Sequence, residues 1–186
     1  NVPSPPVDRI IFNQKPSKLY VQTATALSVE VFDEADLNRS ELNVKLESSN
    51  SGVADFDAFG NLETKKTGKT TVSATVEGLT ESFNIRVVKN PTRKVTLSID
   101  KEEIRTGDVL ALNAKALNRS DRAINDAPIT YTYVGKADYG MFGLPAAGLV
   151  TDDGRFVAET AGMYTLIASS GGYSAQKTIK VVPRNI

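Results

Sequence analysis

Thirty-two consecutive residues of this chain recur, without a gap, 94 positions further on: 57–88 align with 151–182. Eight of those positions are identical, namely Gly60/Gly154, Gly68/Gly162, Thr71/Thr165, Ala74/Ala168, Gly78/Gly172, Ile85/Ile179, Val87/Val181 and Val88/Val182. Upstream, 10–33 align with 95–118 at a spacing of 85, so that Leu27, Val29 and Val31 fall on Leu112, Ala114 and Ala116. The chain is therefore two copies of one unit, and the second copy carries nine extra residues between its matching blocks. Solenoid repeats run to roughly 20–45 residues, so a repeat of twice that length in two copies describes a tandem pair of domains.

Within each copy the side chains alternate with period two. Val72, Ala74 and Val76 alternate with Ser73, Thr75 and Glu77; Phe83, Ile85 and Val87 alternate with Asn84, Arg86 and Val88. Leu110, Leu112, Ala114 and Ala116 do the same in the second copy, as do Leu166/Ala168 and Ile179/Val181. Alternation puts one set of side chains on a core and the other in water, the signature of a half-buried antiparallel strand. No stretch of helical length carries a 3.6-residue stripe, and the Ala-rich run 111–117 aligns with a strand-like run. Glu77-Gly78 and Gly171-Gly172 sit between alternating runs and read as hairpin turns. Phe59-Gly60-Asn61 and Asp152-Asp153-Gly154 mark another turn at matching positions, where glycine accepts a positive φ without penalty. About seven short strands per copy is an immunoglobulin-like spacing. The expected fold is all-β, two tandem immunoglobulin-like β-sandwich domains at 7–89 and 94–183. Residues 1–6 form an extended spacer, and Lys89-Asn90-Pro91-Thr92-Arg93 forms a short linker stiffened by its proline.

Composition removes several functions. The chain has no Cys and no His, so it offers no thiolate nucleophile, no disulfide, no usual zinc ligand set and no His-based triad. Net charge is zero, split −2 and +2 between residues 1–90 and 91–186. Nucleic acid and anionic membrane are accordingly poor partners. No apolar run approaches the roughly 20 residues of a spanning helix. A carboxylate pair or a Ser-Lys pair would need a concave pocket, and a small filled sandwich leaves little room for one.

The first copy resembles the bacterial Ig-like domain of group 2 over nearly all of 7–88. The matching stretches are Leu19-Tyr20-Val21, Leu27 to Val31, Val44 through Ser48-Ser49-Asn50, Val53-Ala54-Asp55-Phe56, Gly60-Asn61-Leu62, and Gly68 through Ala74. Ser-Ser-Asn with Val-Ala three residues on is the most specific of these, and Leu46 stands where that family usually has Trp. The second copy is similar but divergent. It keeps Gly154, Gly162 and Tyr164-Thr165-Leu166-Ile167-Ala168, but has Tyr131-Thr132-Tyr133-Val134 and a longer loop, 135–150, in place of Ser-Ser-Asn. The resemblance implies a secreted or cell-surface bacterial protein whose domains act as stalks, adhesive units or accessory modules of exported enzymes. It supplies no catalytic residue.

Loop 135–150 is the segment most suited to recognition, because insertions in surface loops often carry it. Tyr139, Met141, Phe142 and Leu144 are the expected binding residues, able to anchor a protein or stack on a surface glycan; equally, Phe142 and Leu144 could fold back and plug one end of the sandwich. Asp33, Glu34, Asp36 and Glu41 form an acidic cluster, and Asp55, Asp57 and Asp152-Asp153 resemble calcium turns. Solvated loops and Asp side chains capping their own turns explain these equally well, so no metal and no cofactor is expected. Lys65, Lys66 and Lys69 read as a charged edge that deters strand pairing. Leu-Asn-Arg-Ser occurs at 37–40 and at 117–120, but its spacing of 80 does not match the alignment. The expectation is a non-catalytic tandem module, forming a semi-rigid rod, of an exported or cell-surface bacterial protein. It would act as a stalk or adhesive unit and be joined to other domains of a longer parent chain. The alternative is an accessory, carbohydrate-binding module of a secreted enzyme.

Overall fold

The computed structural model describes residues 3–137 and 146–185. It is all-β, and the chain divides into two compact units, Asn1–Lys89 and Asn90–Ile186.

The first unit contains β1 (Val7–Phe12), β2 (Lys18–Tyr20), β3 (Ala24–Ala26), β4 (Val29–Asp33), β5 (Lys45–Ser48), β6 (Ala54–Phe56), β7 (Asn61–Thr64), β8 (Gly68–Val76) and β9 (Leu79–Val88). One sheet has the order β2-β9-β8-β5; the facing strands pair as β1-β4 and β3-β7-β6. The second unit contains β10 (Lys94–Ile99), β11 (Glu103–Arg105), β12 (Val109–Leu117), β13 (Thr130–Ala137), β14 (Gly148–Val150), β15 (Arg155–Ala158), β16 (Gly162–Ser170) and β17 (Tyr173–Val182). Its sheets are β10-β12-β15-β14 and β11-β17-β16-β13. In both units the opening strand divides between the sheets. β1 and β10 pair antiparallel with one sheet, whereas β2 and β11 lie parallel to the final strand of the other. The strands beyond the seven expected come from such breaks. β3 and β4 occupy the place of the single β12, and the break at Ser28 is stitched by Asn13, whose side-chain oxygen accepts from the Ser28 amide at 2.9 Å.

Each unit has its own core. In the first, Leu62, Val72 and Ala74 are fully enclosed, with Phe12 packed edge-on to Phe83 at 4.9 Å between ring centroids. In the second, Phe156, Leu166 and Ala168 take the corresponding places, and Tyr164 is buried beside them. Each large apolar side chain removed from water contributes about 1.5–3 kcal/mol, which explains why these positions stay apolar while their outward neighbours vary freely. Both hairpin turns are two residues long with both φ values positive, Glu77 at 47° and Gly78 at 81°, then Gly171 at 58° and Gly172 at 87°. That geometry matches the right-handed twist of the strands it joins.

The repeat extends further than residue identity shows. The Asp33 carboxylate accepts from the amides of Ala35 and Leu37; 85 residues on, the Asn118 side-chain oxygen accepts from Ser120 and Arg122. Asp36 and Asp121 share a left-handed φ of about 60°, being 62° and 60°. Gln22, at φ 60°, stands where the second copy has Gly107. The two Leu-Asn-Arg-Ser stretches are therefore not equivalents, since Asn118 matches Asp33 and not Asn38.

Two expectations need correction. Loop 135–150 is partly strand: 135–137 complete β13 and 148–150 form β14. Lys69 does not lie on an edge, because β8 is an inner strand of its sheet. Asn90 and Thr92, in the expected linker, are buried in the second unit's hydrogen-bond network. The Asn90 amide donates to the Ser170 hydroxyl at 3.0 Å and its carbonyl accepts from the Thr92 amide and hydroxyl.

Candidate functional site: the base of the insertion

The strand register locates the nine extra residues. Leu46 pairs with Ala74 in the first unit and Tyr131 pairs with Ala168 in the second, so Leu46 and Tyr131 are counterparts. The matching continues to Ser48 and Tyr133, opposite Val72 and Leu166. It resumes at β6 and β14. The insertion consequently lies between Tyr133 on β13 and Gly148 at the start of β14, where 134–147 replace the 49–53 that join β5 to β6.

The two copies leave this strand differently. In the first, Ser48-Ser49-Asn50 peels the chain away from β8. The Ser48 hydroxyl bonds that of Thr70 at 2.6 Å, the Ser49 hydroxyl accepts from the Thr71 amide at 2.9 Å, and the Asn50 carbonyl accepts from the Val53 and Ala54 amides. In the second, β13 continues pairing to Ala137, four residues past Tyr133 and opposite Gly162. The position of Thr70 is taken by Tyr164, whose ring is fully buried.

Tyr133, Phe156 and Tyr164 form an aromatic floor beneath the insertion, with ring centroids 5.2–6.0 Å apart. Such tilted pairs add about 0.5–1.5 kcal/mol each beyond their buried area. The floor also meets the described ends of the insertion, by hydrogen bonds at Ala147-Gly148 and by packing at Gly135. The Tyr133 hydroxyl donates to the Gly148 carbonyl at 2.7 Å and accepts from the Gly148 amide at 3.1 Å. The Tyr164 hydroxyl donates to the Thr160 carbonyl at 2.6 Å, with the Ala147 carbonyl at 3.2 Å. Gly135 lies against the face of Tyr164, where a Cβ would stand 2.6 Å from Cδ1. Burial pushes the Tyr164 phenol above its ordinary value, so it stays a neutral donor at physiological pH.

Of the residues named from the sequence, Tyr139, Met141, Phe142 and Leu144 lie outside the described residues. The described residues that flank them in sequence are Val134–Ala137 and Ala146–Gly148. The sequence marks Tyr131–Val134 as a departure from the first copy and Tyr164 as part of a strand both copies keep, and does not link the two. The available signal was the i, i+2 spacing of Tyr131 and Tyr133, which points both rings toward the core.

The acidic groups have other partners. Asp33 is buried, caps its turn and lies 3.6 Å from Arg39; Glu41 bonds the same guanidinium, which lowers its pKa; Asp36 bonds Arg9. Asp57 caps its own turn by accepting from the Asn61 and Phe59 amides, chiefly the former, and its pKa is held down. Asp153 accepts from the Thr151 hydroxyl and is likewise lowered. Among the described residues no group of three or more acidic side chains is placed to hold a metal ion.

Facing antiparallel sheets with a split opening strand, built twice along the chain, define the class: the chain is a tandem pair of immunoglobulin-like β-sandwich domains. No family model matches the sequence, and no curated protein sequence matches it. Among solved structures the chain is similar to domains 4 and 5 of the S-layer protein SbsC, with 15% identity and a TM-score of 0.42 over 95% of this chain and 98% of that one. It is also similar to the Yersinia pseudotuberculosis adhesin InvE, with 14% identity and a TM-score of 0.42 over 93% and 58% respectively. Invasin, a bacterial integrin-binding protein, is similar at 15% identity with a TM-score of 0.38 over 94% and 40%. No helix among the described residues is long and apolar enough to cross a membrane.

Proposed function

We propose that the chain is a non-catalytic module of an exported or cell-surface bacterial protein, of the group 2 Ig-like kind, working as a stalk and adhesive unit. The reading stands on the chain's own construction. One hydrogen-bonded frame is built twice from largely different residues, and the copies differ in length by one nine-residue insertion whose C-terminal end, Ala147-Gly148, is hydrogen-bonded by Tyr133 and Tyr164. A frame built from two different sets of residues serves as a scaffold, and an insertion on a rigid scaffold is a common form of recognition loop. Tyr139, Met141, Phe142 and Leu144 are the proposed contacts with a protein or glycan partner, and the remainder of a longer chain would supply the attachment.

The test replaces 134–147 with the first copy's Ser49–Val53 in the intact parent protein displayed on its own cells. Loss of attachment to the target surface, with both units still folded by circular dichroism, is expected. Unchanged attachment would refute the adhesive reading, and substrate turnover by the 186-residue chain alone would refute the non-catalytic one.

A further inference from the structure

The outward face of the sheet β2-β9-β8-β5 carries a second feature, in the first unit and away from the insertion. Lys69 on β8 stands directly opposite Arg86 on β9, and Arg86 in turn opposite Lys18 on β2. Like charges facing each other across neighbouring strands destabilise a sheet. Here the pair sits on inner strands, where deterring edge association is not a reason to keep it. The Lys18 ammonium lies over the Tyr20 ring. Among the described residues neither Lys69 nor Arg86 has an acidic group within 4.0 Å, and both are exposed. The acid closest along the face, Glu47, is engaged by Lys45 at 2.7 Å.

The adjoining row supplies neutral donors. Thr71 faces Asn84 and donates its hydroxyl to the Asn84 carbonyl oxygen at 2.8 Å, which leaves the Asn84 amide protons facing outward. The Ser49 hydroxyl accepts from the Thr71 amide, and only a long 3.5 Å approach to the Thr70 hydroxyl competes for its own proton. Together with Ser17 these residues line an open groove of about 530 Å³. All but Ile85 of its lining residues carry a side-chain hydrogen-bond donor, and the lining contains no carboxylate and no aromatic ring.

The second copy provides the contrast. At the positions of Lys69, Arg86, Ser49 and Asn84 it has Met163, Lys180, Val134 and Thr178. The frame does not need the cationic pair, since the same sheet is built without it.

We infer that this groove binds an acidic polysaccharide, a chain of sugar rings bearing carboxylates. The Arg86 fork is suited to a planar carboxylate and Lys69, one strand spacing of about 4.8 Å away, to a further anionic oxygen. Ser49, Thr71 and Asn84 face sugar hydroxyls. An open face suits an extended ligand lying across the strands. Single-stranded nucleic acid fits less well, because the groove has no aromatic ring to serve as a stacking platform for bases. The inference is independent of the function proposed for the insertion, which lies in the other unit.

The probe is sodium polygalacturonate, with its fully methyl-esterified form and neutral dextran as controls, titrated into the 186-residue chain and followed by backbone amide NMR. Shifts at Ser49, Thr71, Asn84 and Arg86, absent with the ester and the dextran, are expected, with binding weakened by salt. Lys69→Met with Arg86→Gln should weaken binding at least tenfold while leaving thermal unfolding in place. Asn84→Asp, which puts a carboxylate in the groove, should weaken it independently. Equal binding of the ester, undiminished binding by the variants, shifts centred on Val134 and Met163, tighter binding of an oligonucleotide, or no binding at all would each overturn the proposal.

Discussion

Gly135 gives the sharpest test of how the insertion is held. Its φ is not in the left-handed region, so alanine can adopt the backbone conformation, and restricting the unfolded chain would by itself stabilise the second unit by about 0.4–1 kcal/mol. Against that, the new Cβ would stand 2.6 and 2.7 Å from Cδ1 and Cε1 of Tyr164 and 3.1 Å from the Ala146 Cβ. Tyr164 has little room to retreat, because its ring is fully buried between Tyr133 and Phe156 and its hydroxyl is bonded to Thr160. Overpacking of this kind costs about 1–3 kcal/mol. The clash therefore outweighs the entropic gain, and Gly135→Ala should destabilise the second unit by about 1–2 kcal/mol net. In a domain of this size each kcal/mol moves the midpoint by roughly 4–8 °C. Differential scanning calorimetry should show the second unit's transition falling by roughly 4–16 °C while the first unit's stays in place. In a Tyr164→Leu background, which removes the ring, the same substitution should cost less than half as much. A neutral or stabilising Gly135→Ala, or a cost undiminished once the ring is gone, would refute the packing argument.

Other outcomes follow from the paired frame. Gly154→Ala should cost roughly 1–2 kcal/mol more than Gly60→Ala in urea unfolding, because both have positive φ but only Gly154 has Tyr131 and the Leu112 carbonyl within about 3 Å of the new Cβ. Asp33→Asn should cost under about 1 kcal/mol and Asp33→Ala about 1–3 kcal/mol, because Asn118 already makes the equivalent cap with an amide oxygen. Asn90→Ala should lower the second unit's midpoint by an amount equivalent to about 1–3 kcal/mol, by leaving Thr92 and Ser170 without their buried partner. Asp57 titrates below its ordinary value when folded, so its contribution is complete above the unfolded carboxylate value of about 3.9 and is lost as pH falls through the folded value. Asp57→Asn should flatten part of the first unit's stability loss below about pH 4, measured by thermal melts across that range.

The architecture was legible where it depends on local rules. Alternation at Val72–Val76 and Leu110–Ala116 gives strands, and Glu77-Gly78 and Gly171-Gly172 give hairpins whatever surrounds them. The matched turns at Gly60 and Gly154 follow in the same way; each carbonyl accepts from the leucine at the paired position, Leu27 at 3.4 Å and Leu112 at 2.7 Å. The alignment sets Asp33 opposite Asn118, but the turn cap they share was not legible, nor was the equivalence of Leu46 with Tyr131. Those pairs share hydrogen-bonding or volume roles and not identity, and only strand register reveals such roles.

The candidate sites divide along the same line. The sequence alone determined that there are two copies, that they are all-β, that one carries an insertion, and that thiol and imidazole chemistry are absent. Those properties follow from residue type and spacing along the chain. Tertiary structure alone decided that Tyr133 and Tyr164 grip the insertion from below, and that Lys69 lies on an inner strand facing Arg86. These are relations between strands distant in sequence. Nothing along the chain marks which strand is an edge or which side chains meet across a sheet.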